Sequence, residues 1–350
     1  MARIAVIAGD GIGKEVVPEA VAVLRRVTET GGPTLEFVDW PHGADHFLDT
    51  GHTLQDSEVA DLRENYDAIL LGALGDPRVP GNRHARDILL GLRTKLDLFI
   101  NYRPIRLLDD RLSPLKGRTR QDFDIRIFRE NTEGAYVGAG GVFRQGTSEE
   151  VAVQEDLTTR RGVERIVRAA FEHARDGHLN RVTMADKANA MEYVGGVWRR
   201  VFAEVADEYA EIEAEAVYAD MLAMDLIRRP QRYQVIVTGN LFGDILSDLA
   251  AQLVGGLGVS ASANLHPGAV SMFEPVHGSA LDLVGTGRAN PIGAILSAAL
   301  LLDFLGRTEA SRTIEEAVRV AVEAGDTTPD LGGKLSTREA AEAIRRRIRG

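Results

Sequence analysis

The sequence predicts an α/β protein with a largely parallel sheet. Short apolar runs alternate with helix-period segments along the chain. Several of those runs are apolar on both faces, as strands covered on two sides must be. And 44% of the 350 residues are hydrophobic, enough for a substantial core in one large or two intimate domains.

Residues 3–8 read as a buried strand, followed through a glycine-rich turn by a helix over about 14–30. Residues 67–73 (DAILLGA) form a second buried strand and 84–95 a helix. A strand over 123–128 leads to a helix over 158–176. The pattern repeats at 181–185 with 197–209, and at 233–238 (YQVIVT) with 241–253. Helices near 291–305, 311–324 and 337–348 close the chain. Residues 134–155 break the rhythm, being glycine-rich with alternating polar and apolar positions. That is the pattern of a β-hairpin arm, which either pairs with another subunit or lies at the edge of its own domain.

The formal net charge of −11 excludes a general nucleic-acid surface, so any anion site must be a local arginine cluster. There is no cysteine, which rules out disulfides, thiolate metal sites and cysteine nucleophiles and fits a cytoplasmic protein. The opening MARIAVIAGDGIG reads as a first strand rather than a signal peptide, and no apolar run is long enough to span a membrane.

Gly9-Asp10-Gly11-Ile12-Gly13-Lys14 invites a nucleotide reading but meets neither common pattern. Lys14 stands where a dinucleotide fingerprint needs its third glycine, and a phosphate loop needs a longer gap before its lysine. The strongest local signal is Asn240-Leu-Phe-Gly-Asp244-Ile-Leu-Ser-Asp248. Asp244 and Asp248 are spaced i, i+4 and share a helix face, where they repel unless a cation intervenes. Hard oxygen ligands favour Mg²⁺ or Mn²⁺. Asp220, just past a strand, is a third carboxylate, while for an isolated pair the plainer reading is a wet acidic face. Nearby glycines at 239, 243, 255, 256 and 258 suggest close backbone approach. Arg93, Arg103 and Arg129 sit at the edges of expected elements, where guanidinium groups could hold a di- or tricarboxylate. Lys187 follows a strand directly and could act as a base, and Tyr136 at the start of the arm could act as an acid. Asp282, five residues after His277, could accept from a ribose 2′-hydroxyl and so favour NAD over NADP.

In chain order, GDGIGKEV, LLGALGDP, LRTKLDLFINYRP, FRENTEGAY, DKAN, NLFGDILSDLAAQLVGGLG and FEPVHGSALDLVGTGRANP resemble the β-decarboxylating dehydrogenase family of isocitrate, isopropylmalate, homoisocitrate and tartrate/D-malate dehydrogenases. The resemblance spans nearly the whole chain. It implies a two-domain, isopropylmalate dehydrogenase-like fold distinct from the Rossmann fold. A large cofactor domain would comprise 1–99 and 253–350, and a small domain 100–252, with an arm at 134–156 that clasps a partner. It also implies a homodimer or dimer of dimers with shared active sites. Arg93, Arg103 and Arg129 would hold the malate-like carboxylates. Asp244 and Asp248 would bind Mg²⁺ or Mn²⁺, with Asp220 and the base Lys187 coming from the other subunit and Tyr136 from the first. NAD would be met by Ile12, Gly72, Ala73, Glu274, His277, Gly278, Asp282 and Asn290, with Asn101 and Asn189 near the nicotinamide ribose.

Two positions depart from the family pattern. Leu281 replaces a usual proline and Tyr102 a usual small or aliphatic residue, the latter beside the carboxylate-binding region. Substrate choice should depend on the helix before Arg93. There Leu89 and Leu90 suit an apolar substituent such as isopropyl, and Arg86 a further carboxylate. FRENTEG resembles the tricarboxylate and tartrate members more than the RELTGG of isopropylmalate enzymes. These signals rank tartrate/D-malate and homoisocitrate/isocitrate first, with 3-isopropylmalate or a specialised malate analogue as the alternative. Two other classes, a catalytically silent regulatory subunit and a metal-dependent hydrolase, lack a reason to keep the full set of proton-transfer residues or Asp282.

Overall fold

The first apolar run is strand β1 (Ala2–Ile7), and the helix after it is α1 (Gly13–Glu29). Val16, Val17, Ala20, Val23, Leu24 and Val27 form the buried stripe of α1. Its other face is polar. In this computed structural model, which describes residues 1–349, the chain continues with β2 (Leu35–Trp40), α2 (Ala44–Thr50) and α3 (Asp56–Asn65). Then come β3 (Ala68–Leu71), α4 (Arg83–Lys95) and β4 (Ile100–Arg106). The middle of the chain holds β5 (Asp124–Glu130), β6 (Gly140–Phe143), β7 (Val151–Gln154) and α5 (Arg160–Asp176). Next are β8 (Arg181–Asp186), α6 (Glu192–Ala206), β9 (Glu213–Tyr218) and α7 (Ala219–Arg228). The remainder is β10 (Val235–Thr238), α8 (Asn240–Gln252), β11 (Ala261–Leu265), β12 (Ser271–Pro275), α9 (Ile292–Phe304), α10 (Thr308–Glu323) and α11 (Thr337–Arg345).

These elements form two compact units, one of Met1–Leu98, Arg106–Arg120 and Ala251–Gly350, the other of Phe99–Ile105 and Gln121–Ala250. Residues 106–120, expected with the middle segment, pack with the first unit. In the first unit the strand order is β2-β1-β3-β12-β11. All neighbours there pair parallel except β11 with β12, which run antiparallel with Ala261 opposite Pro275. Helix α9 is apolar nearly all round because it is buried from several sides, against β11, β12, α1 and α10. A second layer of core lies under α3 and α4, where Leu62, Tyr66, Ile69, Ile88, Leu92 and Met272 meet. In the second unit the order is β4-β5-β10-β8-β9, with β5, β10, β8 and β9 parallel. α5 and α6 pack together, and α5 covers β5, β10 and β8. The mixed sheet pattern explains why the dinucleotide fingerprint fails: the turn after β1 serves a different topology, and Lys14 is paired with Asp45 at the surface.

The irregular segment is indeed a hairpin, β6 antiparallel to β7, with Val142, Phe143, Val151 and Val153 exposed. Tyr102 corrects an expectation. Side chains alternate along β4, so Tyr102 points away from its neighbours Asn101 and Arg103. Its ring meets Phe128 at 5.3 Å and His173 of α5 at 5.5 Å. It is a packing residue of the second unit, on the opposite face from the carboxylate-binding position.

Candidate active site

Helix α8 starts directly after β10, at the carboxyl edge of the parallel strands, where ligands bind in such sheets. Asp244 and Asp248 lie one turn apart on it and face two arginines from neighbouring strands. Arg129, at the end of β5, donates from Nη1 to Asp244 Oδ1 at 2.6 Å. Arg103 of β4 donates to Asp248 Oδ1 at 2.9 Å, to Asp244 Oδ1 at 3.2 Å and to Ser247 Oγ at 2.6 Å. Tyr136 Oη donates to Asp244 Oδ2 at 3.1 Å, and the Arg129 guanidinium lies 5.4 Å from the Tyr136 ring centre. Burial, and then the charge of Asp244, push the Asp248 carboxyl above its usual range, against the pull of Arg103. This is a compact cluster of two acids, two cations and a phenol, half open to solvent.

Arg129 is 1% exposed, and its orientation is fixed by Asn240, in the motif that also carries Asp244 and Asp248. Asn240 accepts from Arg129 Nε through its backbone oxygen at 2.9 Å and from Nη2 through Oδ1 at 2.8 Å. The Asn240 amide in turn donates to the Glu133 carbonyl at 2.8 Å. The approach of α8 to Arg129 also explains Gly243. A β-carbon there would sit 2.4 Å from Arg129 Cγ and 2.6 Å from its Cβ. Gly243→Ala is therefore expected to displace Arg129 from Asp244. The cost should be about 1–3 kcal/mol of stability, with a raised KM for the acid substrate. Thermal melting together with steady-state kinetics checks this, and an unchanged KM would show that Arg129 does not hold the substrate.

The acids of FRENTEG hold the loop itself. Glu130 is buried and accepts from Thr132 and Glu133 N–H groups at 2.7–3.1 Å. Glu133 accepts from the Thr159 N–H at 2.8 Å, tying the loop to the start of α5. Burial pushes the Glu130 carboxyl above its usual range. This part of the motif holds the loop that leads to Tyr136.

Lys187 and Asp220 form a separate pair in the same unit. Lys187, in the turn after β8, lies 2.6 Å from Asp220 Oδ2 at the start of α7. Lys187 holds the Asp220 carboxyl below its usual range. Among the described residues no three His, Asp or Glu side chains converge on one point, so Asp220 does not join Asp244 and Asp248 within one chain. Asn101 is buried and accepts from Arg103 Nε at 2.9 Å, while Asn189 is exposed beyond Lys187.

In the first unit, backbone hydrogen bonds bring three loops together. Asp10 N–H donates to Ala73 O at 2.7 Å, and Ile12 N–H to Ser279 O at 2.9 Å. Ile12, Gly72, Ala73, His277 and Gly278 thus share the carboxyl edge of β1, β3 and β12. Nothing would meet a β-carbon at Gly278, which leaves its backbone open to a ligand. Burial pushes the His277 imidazole below its usual range, and its buried Nε2 has no hydrogen-bond partner. Asp282 is exposed on a short 3-10 turn next to exposed Leu281. Asn290 is engaged at both ends, donating to Asp330 at 2.8 Å and accepting from the Ile292 N–H at 3.0 Å. Arg93, near the end of α4, donates from Nη2 to Glu274 Oε1 at 3.0 Å, and Asn264 donates to the same oxygen at 2.9 Å. Glu274 is thereby committed to Arg93, whose buried Nε lacks a partner. On α4, Arg86, Leu90 and Arg93 share a face by their i, i+4, i+7 spacing. Leu89, one turn before Arg93, lies near the same face and is partly buried against the core with Ile88 and Leu92.

Known proteins resemble this chain along nearly its whole length. The profile of the isocitrate/isopropylmalate dehydrogenase family matches residues 3–344. A 3-isopropylmalate dehydrogenase of Thermobifida fusca is 42% identical over 99% of this chain and 97% of its own. One from Corynebacterium aurimucosum is 46% identical over 95% of this chain and 98% of its own. The crystal structure of isocitrate dehydrogenase from Methylococcus capsulatus superposes with a TM-score of 0.90 at 35% identity, covering 100% of both chains. No described helix is long and apolar enough to cross a membrane. The chain belongs to the isocitrate/isopropylmalate dehydrogenase family and is a decarboxylating dehydrogenase.

Proposed function

We propose that the protein oxidises and decarboxylates a malate carrying an apolar substituent at C3, with 3-isopropylmalate as the expected substrate. The observation that carries the chemistry is the Arg103–Arg129–Asp244–Asp248–Tyr136 cluster. The substituent is supported by relatives over 40% identical along the whole chain that carry the 3-isopropylmalate dehydrogenase name. Leu90 on the Arg93 face is consistent with it. The ranking that put tartrate/D-malate and homoisocitrate first gains no support from these relatives. FRENTEG, one of its grounds, is occupied with holding its own loop. Arg86 is exposed on the same face as Leu90 and keeps one second reading open, a C3 substituent ending in a carboxylate such as that of isocitrate.

The residues fit both expected cofactors. Asp244 and Asp248 offer hard oxygens suited to Mg²⁺ or Mn²⁺. Neutral His277, with a free buried Nε2, and open Gly278 suit an adenine nucleotide, and exposed Asp282 favours NAD. When bound, the metal would supply Lewis-acid polarisation of the hydroxy acid, and NAD⁺ would accept hydride from C2. Arg93, Arg103 and Arg129 would hold the carboxylates by charge-assisted hydrogen bonds. Lys187 would take the hydroxyl proton, directly or through water. After CO₂ leaves C3, Tyr136 would return a proton to that carbon.

Lys187 and Asp220 would reach this cluster from a second copy of the chain. Next to them, α7 exposes Met221, Met224 and Ile227, and α8 exposes Leu241 and Ile245. With the apolar arm, these faces suit a homodimer interface. A cytoplasmic setting is consistent with such a metabolic reaction.

The test is NADH formation at 340 nm with NAD⁺ and Mg²⁺ or Mn²⁺ on 3-isopropylmalate, isocitrate, homoisocitrate, D-malate and tartrate, with NADP⁺ and metal-free controls. The expected result is metal-dependent turnover with NAD⁺, highest on 3-isopropylmalate. Preference for isocitrate would give specificity to Arg86 instead. No turnover on any of the five, with neither NAD⁺ nor metal bound, would overturn the reading.

A further inference from the structure

One buried ionisable pair plays no part in the steps above. Asp10, in the turn after β1, is 1% exposed, and His84, in the first turn of α4, is 0% exposed. Asp10 Oδ1 accepts from the Ala44 N–H at 2.6 Å. Oδ2 accepts from the Gly75 N–H at 2.8 Å and lies 2.7 Å from His84 Nε2. One carboxylate therefore ties together four segments: the 9–13 turn, the loop entering α2, the loop after β3, and α4.

The imidazole has no other polar anchor among the described residues, since its Nδ1 is buried without a partner. Burial alone would be served as well by a leucine, and more cheaply, because an imidazole buries polar atoms. The residue type is explained by the one bond it makes. On the far side of that bond, Asp10 N–H grips Ala73, and the same turn grips Ser279 through Ile12. These are the loops that carry Ile12, Gly72, Ala73, His277 and Gly278. On the near side, α4 carries Arg86, Leu90 and Arg93 two to nine residues after His84.

We propose that Asp10 and His84 form a buried clasp that positions the dinucleotide-binding loops and links their alignment to helix α4, which carries the substrate-selecting side chains. Both are positioning residues, and the inference rests on the cofactor assignment made under the proposed function. A clasp that holds the cofactor loops and α4 together makes cofactor and substrate affinities interdependent, and that coupling must be equal in both directions.

The test is fluorescence titration with NADH, with and without 3-isopropylmalate and Mg²⁺, on the full-length wild type and on His84→Leu, His84→Gln and Asp10→Asn. Melting temperatures and the KM values for NAD⁺ and for the hydroxy acid accompany it. His84→Leu is expected to weaken NADH binding about tenfold, the effect of losing a hydrogen bond to a charged group. The KM for NAD⁺ should rise in step while kcat falls much less, and the substrate should no longer alter NADH affinity. His84→Gln, whose amide can donate to Asp10, should recover most of the affinity. A folded His84→Leu that binds NADH like wild type overturns the clasp. So does a Gln variant no better than Leu with both merely less heat-stable. If His84→Leu does not fold, Asp10→Asn carries the same expectation, and unchanged NADH affinity there is equally fatal. Wild type that fails to bind NADH removes the cofactor assignment and the clasp with it, whereas wild-type binding with indifferent variants sinks the clasp alone.

Discussion

Lys187→Met should lower kcat by about 10²–10⁴, the range supplied by a positioned proton-transfer group, while leaving NAD⁺ binding in place. Methionine matches the stem of lysine in length and removes only the base. The position lies in a turn after β8, and its side chain is 28% exposed, so the fold should tolerate the change. The same lysine, though, is the partner of Asp220 at 2.6 Å, and its loss could act through that carboxylate instead. The two routes separate in the metal requirement. A fall in kcat at an unchanged Mn²⁺ concentration for half-maximal activity places Lys187 in proton transfer. A higher Mn²⁺ requirement would make it a holder of Asp220. Unimpaired turnover would remove it from the reaction.

Much of the fold could be read from periodicity. Continuous apolar runs such as 67–73 and 233–238 became central strands β3 and β10, because burial on both faces leaves no room for alternation. What the sequence hid were elements without that signature. β9 has the burial pattern of an exposed strand along Glu213–Tyr218, and β2 is half-buried except for exposed Asp39, so neither is a buried apolar run. β11 contains Ser262 and Asn264, buried polar residues whose partners are distant in sequence: Glu274 accepts from both. Such pairs have no local trace.

The site divides in the same way. Asp244 and Asp248 were legible because helix geometry turns a spacing of four into a shared face. That Arg103 and Arg129 meet them was not, since the contacts cross more than a hundred residues. Tyr102 misled because neighbours in sequence point to opposite faces of a strand. A residue between Asn101 and Arg103 is for that reason the least suited to join them. FRENTEG weighed in the substrate ranking by resemblance alone, and its glutamates accept from backbone N–H groups of their own loop and of the start of α5. The Asp10–His84 pair had a usable sign, a histidine on the apolar side of an amphipathic helix, but its partner lies 74 residues away.

Asp244→Asn, by removing the negative charge that the proposed metal site and the two arginines face, should abolish most activity on its own. Mixed with Lys187→Met after dissociation and reassociation, it should give activity back. If each site takes Asp244, Asp248 and Tyr136 from one copy and Lys187 and Asp220 from the other, a hybrid dimer has one site with every group intact and one with both lesions. Random exchange makes half of the dimers hybrid, so the mixture should recover about a quarter of wild-type activity. Within one chain Asp244 is bonded to Arg129, Arg103 and Tyr136, whereas Lys187 is bonded to Asp220. A site built wholly within one chain would leave the mixture as inactive as its parents. Recovery therefore decides whether the exposed apolar faces of α7, α8 and the arm are required for chemistry or only for stability. In the first case, diluting the enzyme below its dimer dissociation constant must abolish turnover even where each chain stays folded.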